Sequence, residues 1–318
     1  MIFPYTQGKI ESQDVPVQKI GAALYSFRFC RDDRPLYTSI QNFGIINPPR
    51  LIPDGQEYRI IDGGARVEAA KKMGLTQITC QVHSVSEKNN AELFLLALEL
   101  NCWNRTFNLM EKSLCLKIAQ EVFAGIKIPK RFWEVVGIRE DIRTIYQHKE
   151  LLKLPLSVQK YAVNNDIPLT VILGFLRFPP TQIEAIANQL FLLPINRNKL
   201  AEILTLLYEV SKRERLMPLD VLNALLMMLD GETNLFQKEQ KLRDLLNQKR
   251  NPAYSKRLAF FEKNVRALNL PVGTQVEPAL FFEEEAVTLH SKINSLKDRD
   301  QLVEMLKGEG WLSLLRGG

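Results

Sequence analysis

Gly63-Gly64-Ala65-Arg66 stands where an apolar stretch, Tyr58-Arg59-Ile60-Ile61-Asp62, gives way to a helical pattern running from Val67 through Glu68-Ala69-Ala70-Lys71-Lys72-Met73 to Gly74. A strand that turns through glycines into a helix makes an anion site. The N–H groups of the first helical turn have no acceptor within the helix and carry the positive end of its dipole, and glycine lets a phosphate approach the main chain. Arg66, one turn in, adds a planar fork that can take two phosphate oxygens. The same residues would also suit a turn whose glycines only relieve backbone strain, so the flanking elements must decide.

Upstream, Ser39 to Phe43 reads as a helix that stops at Gly44, followed by a turn bounded by Pro48-Pro49 and a short strand around Leu51-Ile52. Downstream, Thr76 to Val82 alternates like a strand, and a long helix runs from about Ser86 to Trp103. Arg131 to Ile138 then forms a short helix closed by Gly137, and Arg139 to Lys153 a second one with Ile142, Ile145, Tyr146, Leu151 and Leu152 turned inward. Two helices joined by a tight glycine turn are the pattern of a helix-turn-helix. Arg139, Arg143 and Gln147 recur every four residues, so on a continuous helix they share a face that could meet a major groove. Lys130, Arg131 and Lys149 are the neighbouring candidates for DNA contact. The alternative is an ordinary helical hairpin.

Charge supports this reading through its distribution. The net charge of +6 is modest, yet residues 238–266 hold Lys238, Lys241, Arg243, Lys249, Arg250, Lys256, Arg257, Lys263 and Arg266 against Glu239, Asp244 and Glu262. A second basic stripe spans 126–153, and residues 267–318 are acidic on balance. Such stripes either meet nucleic acid or are solvated helix faces. Hydrophobic content of 46% fits a soluble chain, and the longest apolar runs are short and interrupted by charge, so neither a membrane span nor a secretory leader is expected and the cytoplasm is the expected compartment. Cys30, Cys80, Cys102 and Cys115 lie far apart, which excludes a zinc or disulfide framework by spacing. His83, His148 and His290 sit near no nucleophile pattern and read as packing or surface residues. Glu283-Glu284-Glu285 reads as a polar turn rather than a metal site.

Taken in order, the helix, Gly44-x-x-x-Pro48, the strands, Asp62-Gly63-x-x-Arg66 and the following helix resemble the N-terminal domain of the ParB family, which shares its fold with sulfiredoxin. The resemblance covers about residues 16 to 120. It continues in Phe107-Asn108-Leu109-Met110-Glu111, similar to the family's LNPxE helix start, and in Leu151-Leu152-Lys153-Leu154-Pro155 after the helix-turn-helix. Leu156 to Asn164 and Ile167 to Leu176 resemble the two helices that come next. The resemblance implies that Gly63, Gly64, Arg66, Asn101 and Arg105 bind a nucleotide, CTP with magnesium. It further implies DNA as partner, a homodimer, a ParA-type ATPase as a further partner and association with the nucleoid.

The chain departs from the family pattern in two places. The family reads GERRxRA where this chain has Gly63-Gly64-Ala65-Arg66-Val67-Glu68-Ala69, and ENxxR where Arg105 sets Asn101 and Cys102 in place of the glutamate and asparagine. A one-residue shift puts Leu100 at the glutamate, with Glu99 nearby. Neither register supplies a carboxylate where phosphate-bound magnesium would need one, so no catalytic or metal residue is named. An enzyme is not the leading expectation, although a weak CTPase stays open.

The fold class expected is α+β and mostly helical. A small mixed domain at 1–120 holds the nucleotide pocket, a helix-turn-helix domain spans 121–232, and 233–318 combines basic helices with a strand-strand-helix unit that dimerises. In the middle part, Leu200, Ile203, Leu204, Leu206 and Leu207, and then Val221, Leu222, Leu225, Leu226 and Leu229, form apolar helical stripes. The functional expectation is a CTP-responsive DNA clamp or regulator in chromosome or plasmid partition, nucleoid occlusion or transcription. The alternatives are a nuclease- or kinase-like enzyme of the same fold and a helical adaptor with a vestigial pocket.

Overall fold

The computed structural model describes residues 9–84, 90–102, 105–268, 270, 273–279 and 286–307. The start of the helix expected from Ser86, its end at Trp103, and the run Glu283-Glu284-Glu285 lie outside them. The chain is mostly helical with a mixed sheet near its N-terminus, and its contacts divide once, after Ala187, into two compact units.

In the first unit, five strands lie in the order β1 (Ile10–Pro16), β5 (Gln77–His83), β3 (Arg50–Asp54), β4 (Glu57–Asp62), β2 (Ile20–Ala23). β1–β5 and β3–β4 are antiparallel, whereas β2–β4 and β3–β5 are parallel. β3, β4 and β5 follow the alternation read from the sequence. β1 and β2 were not anticipated, because Ile10 to Ala23 carries no clear apolar period and becomes strand by pairing with partners far along the chain. Alternation sends Leu51 and Ile60 to one face and Ile52 and Ile61 to the other. The helix expected before Gly44 is α1 (Arg34–Phe43), and on the first face α2 (Gly64–Lys72) buries Val67 and Ala70, whose small side chains allow close approach. On the second face lies α3 (Asn90–Cys102), apolar round most of its circumference and buried accordingly.

α3 also receives the next helices, α4 (Leu109–Val122) and α5 (Lys130–Val136), into one continuous core. Phe94 of α3 stacks on Phe132 of α5 at 6.1 Å and meets Tyr25 and Phe123 edge-on at 5.2 and 6.2 Å. The helices placed by sequence after residue 120 thus share their core with the sheet domain. α5 ends at Gly137, whose φ of +67° closes the helix in the left-handed region. α6 then runs Ile142–Leu151, followed by α7 (Leu156–Asn164). Between them, the Gln159 side-chain amide donates to the carbonyls of Leu152 and Leu154 at 3.3 and 2.8 Å, so the Leu-Leu-Lys-Leu-Pro turn finds a partner for its carbonyls. The helix expected through Leu176 is shorter, α8 (Leu169–Ile172), and continues as a 3-10 turn to Arg177. α9 (Pro180–Leu190) crosses the boundary between the units.

Glu111 is fully buried at the start of α4. Its side chain completes a capping box with Asn108, and it accepts from Arg31 Nε at 3.0 Å, Arg31 Nη2 and Arg105 Nη1 at 2.5 Å, and the Phe29 N–H at 3.3 Å. Burial would push this carboxyl up, but hydrogen bonds from Arg31, Arg105 and the Asn108 N–H outweigh it and hold the group below its ordinary value. One residue on, Lys112 Nζ donates to the Gly137 carbonyl at 3.0 Å, and Ser113 Oγ lies 2.7 Å from His148 Nδ1 on α6. Burial, helped by the nearby Lys112 charge, pushes His148 down to about 4.

The second unit is built on α10 (Arg197–Glu214), which buries Leu200, Ile203, Leu204, Leu206 and Leu207 as its stripe requires. α11 (Pro218–Met227) contributes Val221, Leu222 and Leu225, and α12 (Leu235–Arg250) packs Leu242 and Leu246 into the same unit. α13 (Pro252–Ala267) follows, then the hairpin β6 (Thr274–Pro278) and β7 (Val287–Ser291), and α14 (Leu296–Lys307).

Unfolding by urea across pH should expose two acid-sensitive contributions from the first unit. Because His148 is held below its ordinary value, the folded chain binds fewer protons than the unfolded one between about pH 6.5 and 4, so stability should fall by about 2 kcal/mol on going from pH 6.5 to 5. His148→Gln should flatten that window. Glu111, also depressed, contributes stability that is present above the ordinary carboxylate range and is lost as pH falls through its folded value. Glu111→Gln should cost about 1–3 kcal/mol near neutrality and remove the steepness at the acid end.

Candidate functional site

β4 delivers its last residue, Asp62, to a turn at Gly63, where φ is +92°. A side chain there is doubly disfavoured, since an added Cβ would also lie 3.0 Å from the Arg66 guanidinium. Arg66 folds back over the turn, donating to Asp62 Oδ2 at 2.8 Å and to the carbonyls of Asn47 and Pro48. It therefore ties the Gly63 turn to the Gly44-x-x-x-Pro48 turn, a positioning role that its spacing alone did not reveal. The Gly64 and Ala65 N–H groups open beside it at the start of α2, whereas the Arg66 and Val67 N–H groups bond the Gly63 carbonyl at 2.9 and 3.1 Å.

These groups border a cleft of about 610 Å3 whose lining includes Gly63, Gly64, Arg66, Asn101 and Arg105, all five residues named from sequence. The cleft also receives Arg28, Tyr37 and Lys72, which the sequence reading did not single out. Arg28 comes from the segment after β2 and pairs with Asp33, while Lys72 stands 5.3 Å over the Tyr37 ring. Arg28 and Lys72 had no spacing signal, because their elements meet only in the folded domain. Arg105 bridges α3 and α4 by giving Nη2 to Asn101 Oδ1 at 3.2 Å and Nη1 to Glu111. The arrangement is chemically an anion cleft: a helix N-terminus with guanidinium and ammonium groups around it.

The DNA candidates are placed differently from expectation. Asp141 caps α6 by accepting from the Thr144 N–H at 2.8 Å, so the helix begins at Ile142 and Arg139 lies before it rather than on its face. Only Arg143 and Gln147 of the three keep the one-turn spacing on the helix. Ile142 and Tyr146, expected inside, are 87% and 61% exposed, while His148 takes an inward position beside Leu151. α6 therefore presents Ile142, Arg143, Tyr146 and Lys149 outward, a mixed basic and aromatic surface. Arg131 grips Glu99 of α3 with both Nε and Nη2, at 2.5 and 2.9 Å, and Lys130 lies 3.9 Å from Glu134. Arg131 thus holds α5 against α3.

The later basic stripe is largely neutralised inside the second unit. Lys241 pairs with Glu232, Lys249 with Glu214 at 2.8 Å, Arg250 with Glu209 at 2.6 Å, and Arg243 with both Glu239 and Glu202. The pairs to Glu202, Glu209 and Glu214 join α12 to α10, so most of the local charge excess is structural. Among the described residues no group of three or more His, Cys, Asp or Glu side chains is arranged to hold a metal ion, and no helix is long and apolar enough to cross a membrane.

Residues 6–97 match the family model of the ParB N-terminal domain. The probable chromosome-partitioning protein ParB of Vibrio cholerae is 32% identical over 120 residues, covering 36% of this chain and 39% of the relative, so the chain spans about two fifths of that protein's length. Among solved structures, the C-terminally truncated ParB from Caulobacter crescentus complexed with CTP-γ-S aligns at 21% identity and a TM-score of 0.27 over 56% of this chain and 98% of that one. The truncated Caulobacter protein complexed to the centromeric parS site aligns at 18% identity and a TM-score of 0.36, over 61% and 98%. The Gly63 turn and α2 fall within the residues that match, so over residues 6–97 the chain is similar to the ParB N-terminal domain.

Proposed function

We propose that this chain is a DNA-binding partition or regulatory protein whose N-terminal cleft takes a nucleotide, CTP by the family resemblance. The observation that carries the reading is the convergence of Gly63, Gly64, Arg66, Asn101 and Arg105 on one cleft at the start of α2, inside a domain of this family. Phosphates would sit at the open N–H groups of α2, with Arg28, Lys72 and Arg105 as cationic partners. Arg105 also bonds Glu111, whose neighbours Lys112 and Ser113 touch the Gly137 turn and α6. Occupancy of the cleft would therefore bear on the helix-turn-helix through α4. DNA would meet Arg143, Gln147, Lys149 and Tyr146 on α6, with Arg139 just before the helix and Lys130 beside it. A ParA-type ATPase fits a partition role.

A homodimer is supported by α14. None of its residues is buried, and Leu296, Val303 and Leu306 are exposed on it. A second copy covering this face would remove apolar surface from water. Light scattering should give the mass of two chains, and Leu296→Asp with Val303→Asp should return it to one; a parent protein that is monomeric at micromolar concentration would exclude this dimer.

Calorimetric titration of the full chain with CTP, ATP and GTP tests the nucleotide reading. Saturable binding of CTP, weakened about tenfold or more by Lys72→Ala and by Arg66→Ala with the circular dichroism of each variant unchanged, is expected. No binding of any nucleotide, with or without DNA, would leave a vestigial pocket on a plain helix-turn-helix protein. For the DNA interface, Arg139→Ala combined with Arg143→Ala should reduce the slope of log affinity against log salt by about 2, one phosphate contact each. An unchanged slope would take both residues out of the interface.

A further inference from the structure

Magnesium normally reaches a bound nucleotide through phosphate oxygens plus one or two protein carboxylates. The donor set of the cleft meets that requirement poorly. Three acids line it, Asp33, Asp62 and Glu68. Asp33 is paired with Arg28, and Asp62 accepts from Arg66. Glu68 is exposed on α2, where it adds to the negative potential around Lys72. On α3, the element that faces the cleft through Leu100 and Asn101, the polar side chain is an amide already engaged at both ends. Asn101 Nδ2 donates to the Ala97 carbonyl at 2.8 Å, and its Oδ1 accepts from Arg105. The two nearby glutamates are bound elsewhere, Glu99 by Arg131 and Glu111 by Arg31 and Arg105.

The cationic side of the cleft is better supplied. Arg28, Arg66, Lys72 and Arg105 all line it. A guanidinium carries five N–H donors, and among the described residues Arg28 gives Nη2 to Asp33, so this pair orients the fork while leaving donors for a ligand. The first turn of α2 adds main-chain N–H groups to the same space.

Resting on the nucleotide reading above, we propose that the cleft holds nucleotide phosphates directly on Arg28, Lys72, Arg105 and the start of α2, without a divalent cation. Position 101 decides this, because it is where α3 brings a neutral amide rather than a carboxylate to the cleft.

The test is calorimetric titration of the full chain with CTP in magnesium chloride and, separately, in EDTA with sodium chloride at matched ionic strength, since screening alone would otherwise change the affinity. The expected result is a dissociation constant that agrees within about threefold between the two buffers. Binding about tenfold or more weaker in EDTA overturns divalent independence and leaves the nucleotide reading standing. No binding in either buffer overturns both. Asn101→Glu supplies the carboxylate and should make CTP bind about tenfold tighter in magnesium than in EDTA. If that variant binds CTP equally in both buffers while retaining its circular dichroism, position 101 is not the determinant and the proposal fails at that residue.

Discussion

Glu111 is a carboxylate taken wholly out of water, and its environment shows why that is tolerated. Two guanidinium groups and main-chain N–H groups point at its two oxygens, so charge and hydrogen-bonding capacity are met together, the condition under which a buried ion is stable. The segment after β2 reaches it through Phe29 and Arg31, the stretch before α4 through Arg105, and α4 begins on it. Each of those stretches also borders the cleft or the glycine turn of the helix pair. With Glu111 neutral or absent, Arg31 and Arg105 would face each other without a counter-charge, and the start of α4 would lose half of its capping box.

From that anchor the rest of the first unit follows by packing. α4 carries Cys115, Leu116 and Ala119 into the core where Phe94 and Phe132 stack, and it offers Lys112 and Ser113 to the following helices. The sheet is buried on both faces, with the Gly63 turn at the end of β4. Arg66 locks that turn to the one before β3, so the open N–H groups of α2 are held in place before any ligand arrives. Such prior ordering lowers the conformational cost of binding an anion.

Charge is the property where composition and structure diverge most. The basic excess of residues 238–266 equals the net charge of the whole chain, yet most of it is met by Glu202, Glu209, Glu214 and Glu232 in the folded second unit. The stripe at 126–153 is smaller, but Arg143 and Lys149 project from α6 into solvent. An ion pair between helices distant in sequence is invisible to a running count. The useful quantity is the charge left after pairing.

The sequence by itself determined the local elements. Glycine at 44, 63 and 137, proline at 48 and 155, the Asn108-x-x-Glu111 cap and the apolar stripes of α10 and α11 act over a few residues, so they are legible without the fold. That was enough to place β3 to β5, most helices and the Gly63-Gly64-Ala65-Arg66 turn, whereas Asn101 and Arg105 were named through the family resemblance. It was not enough for β1 and β2, whose weak pattern becomes strand only against β5 and β4. Nor could spacing show that Asp141 would cap α6 and exclude Arg139, that Ile142 and Tyr146 would face outward, or that Arg131 would turn to Glu99. Arg28 and Lys72 joining the cleft, and Ser113 meeting His148, were likewise decided by tertiary structure alone. Those outcomes depend on which surfaces meet, and contacts between distant residues are set by the packing of whole elements, which the period of any single element does not contain.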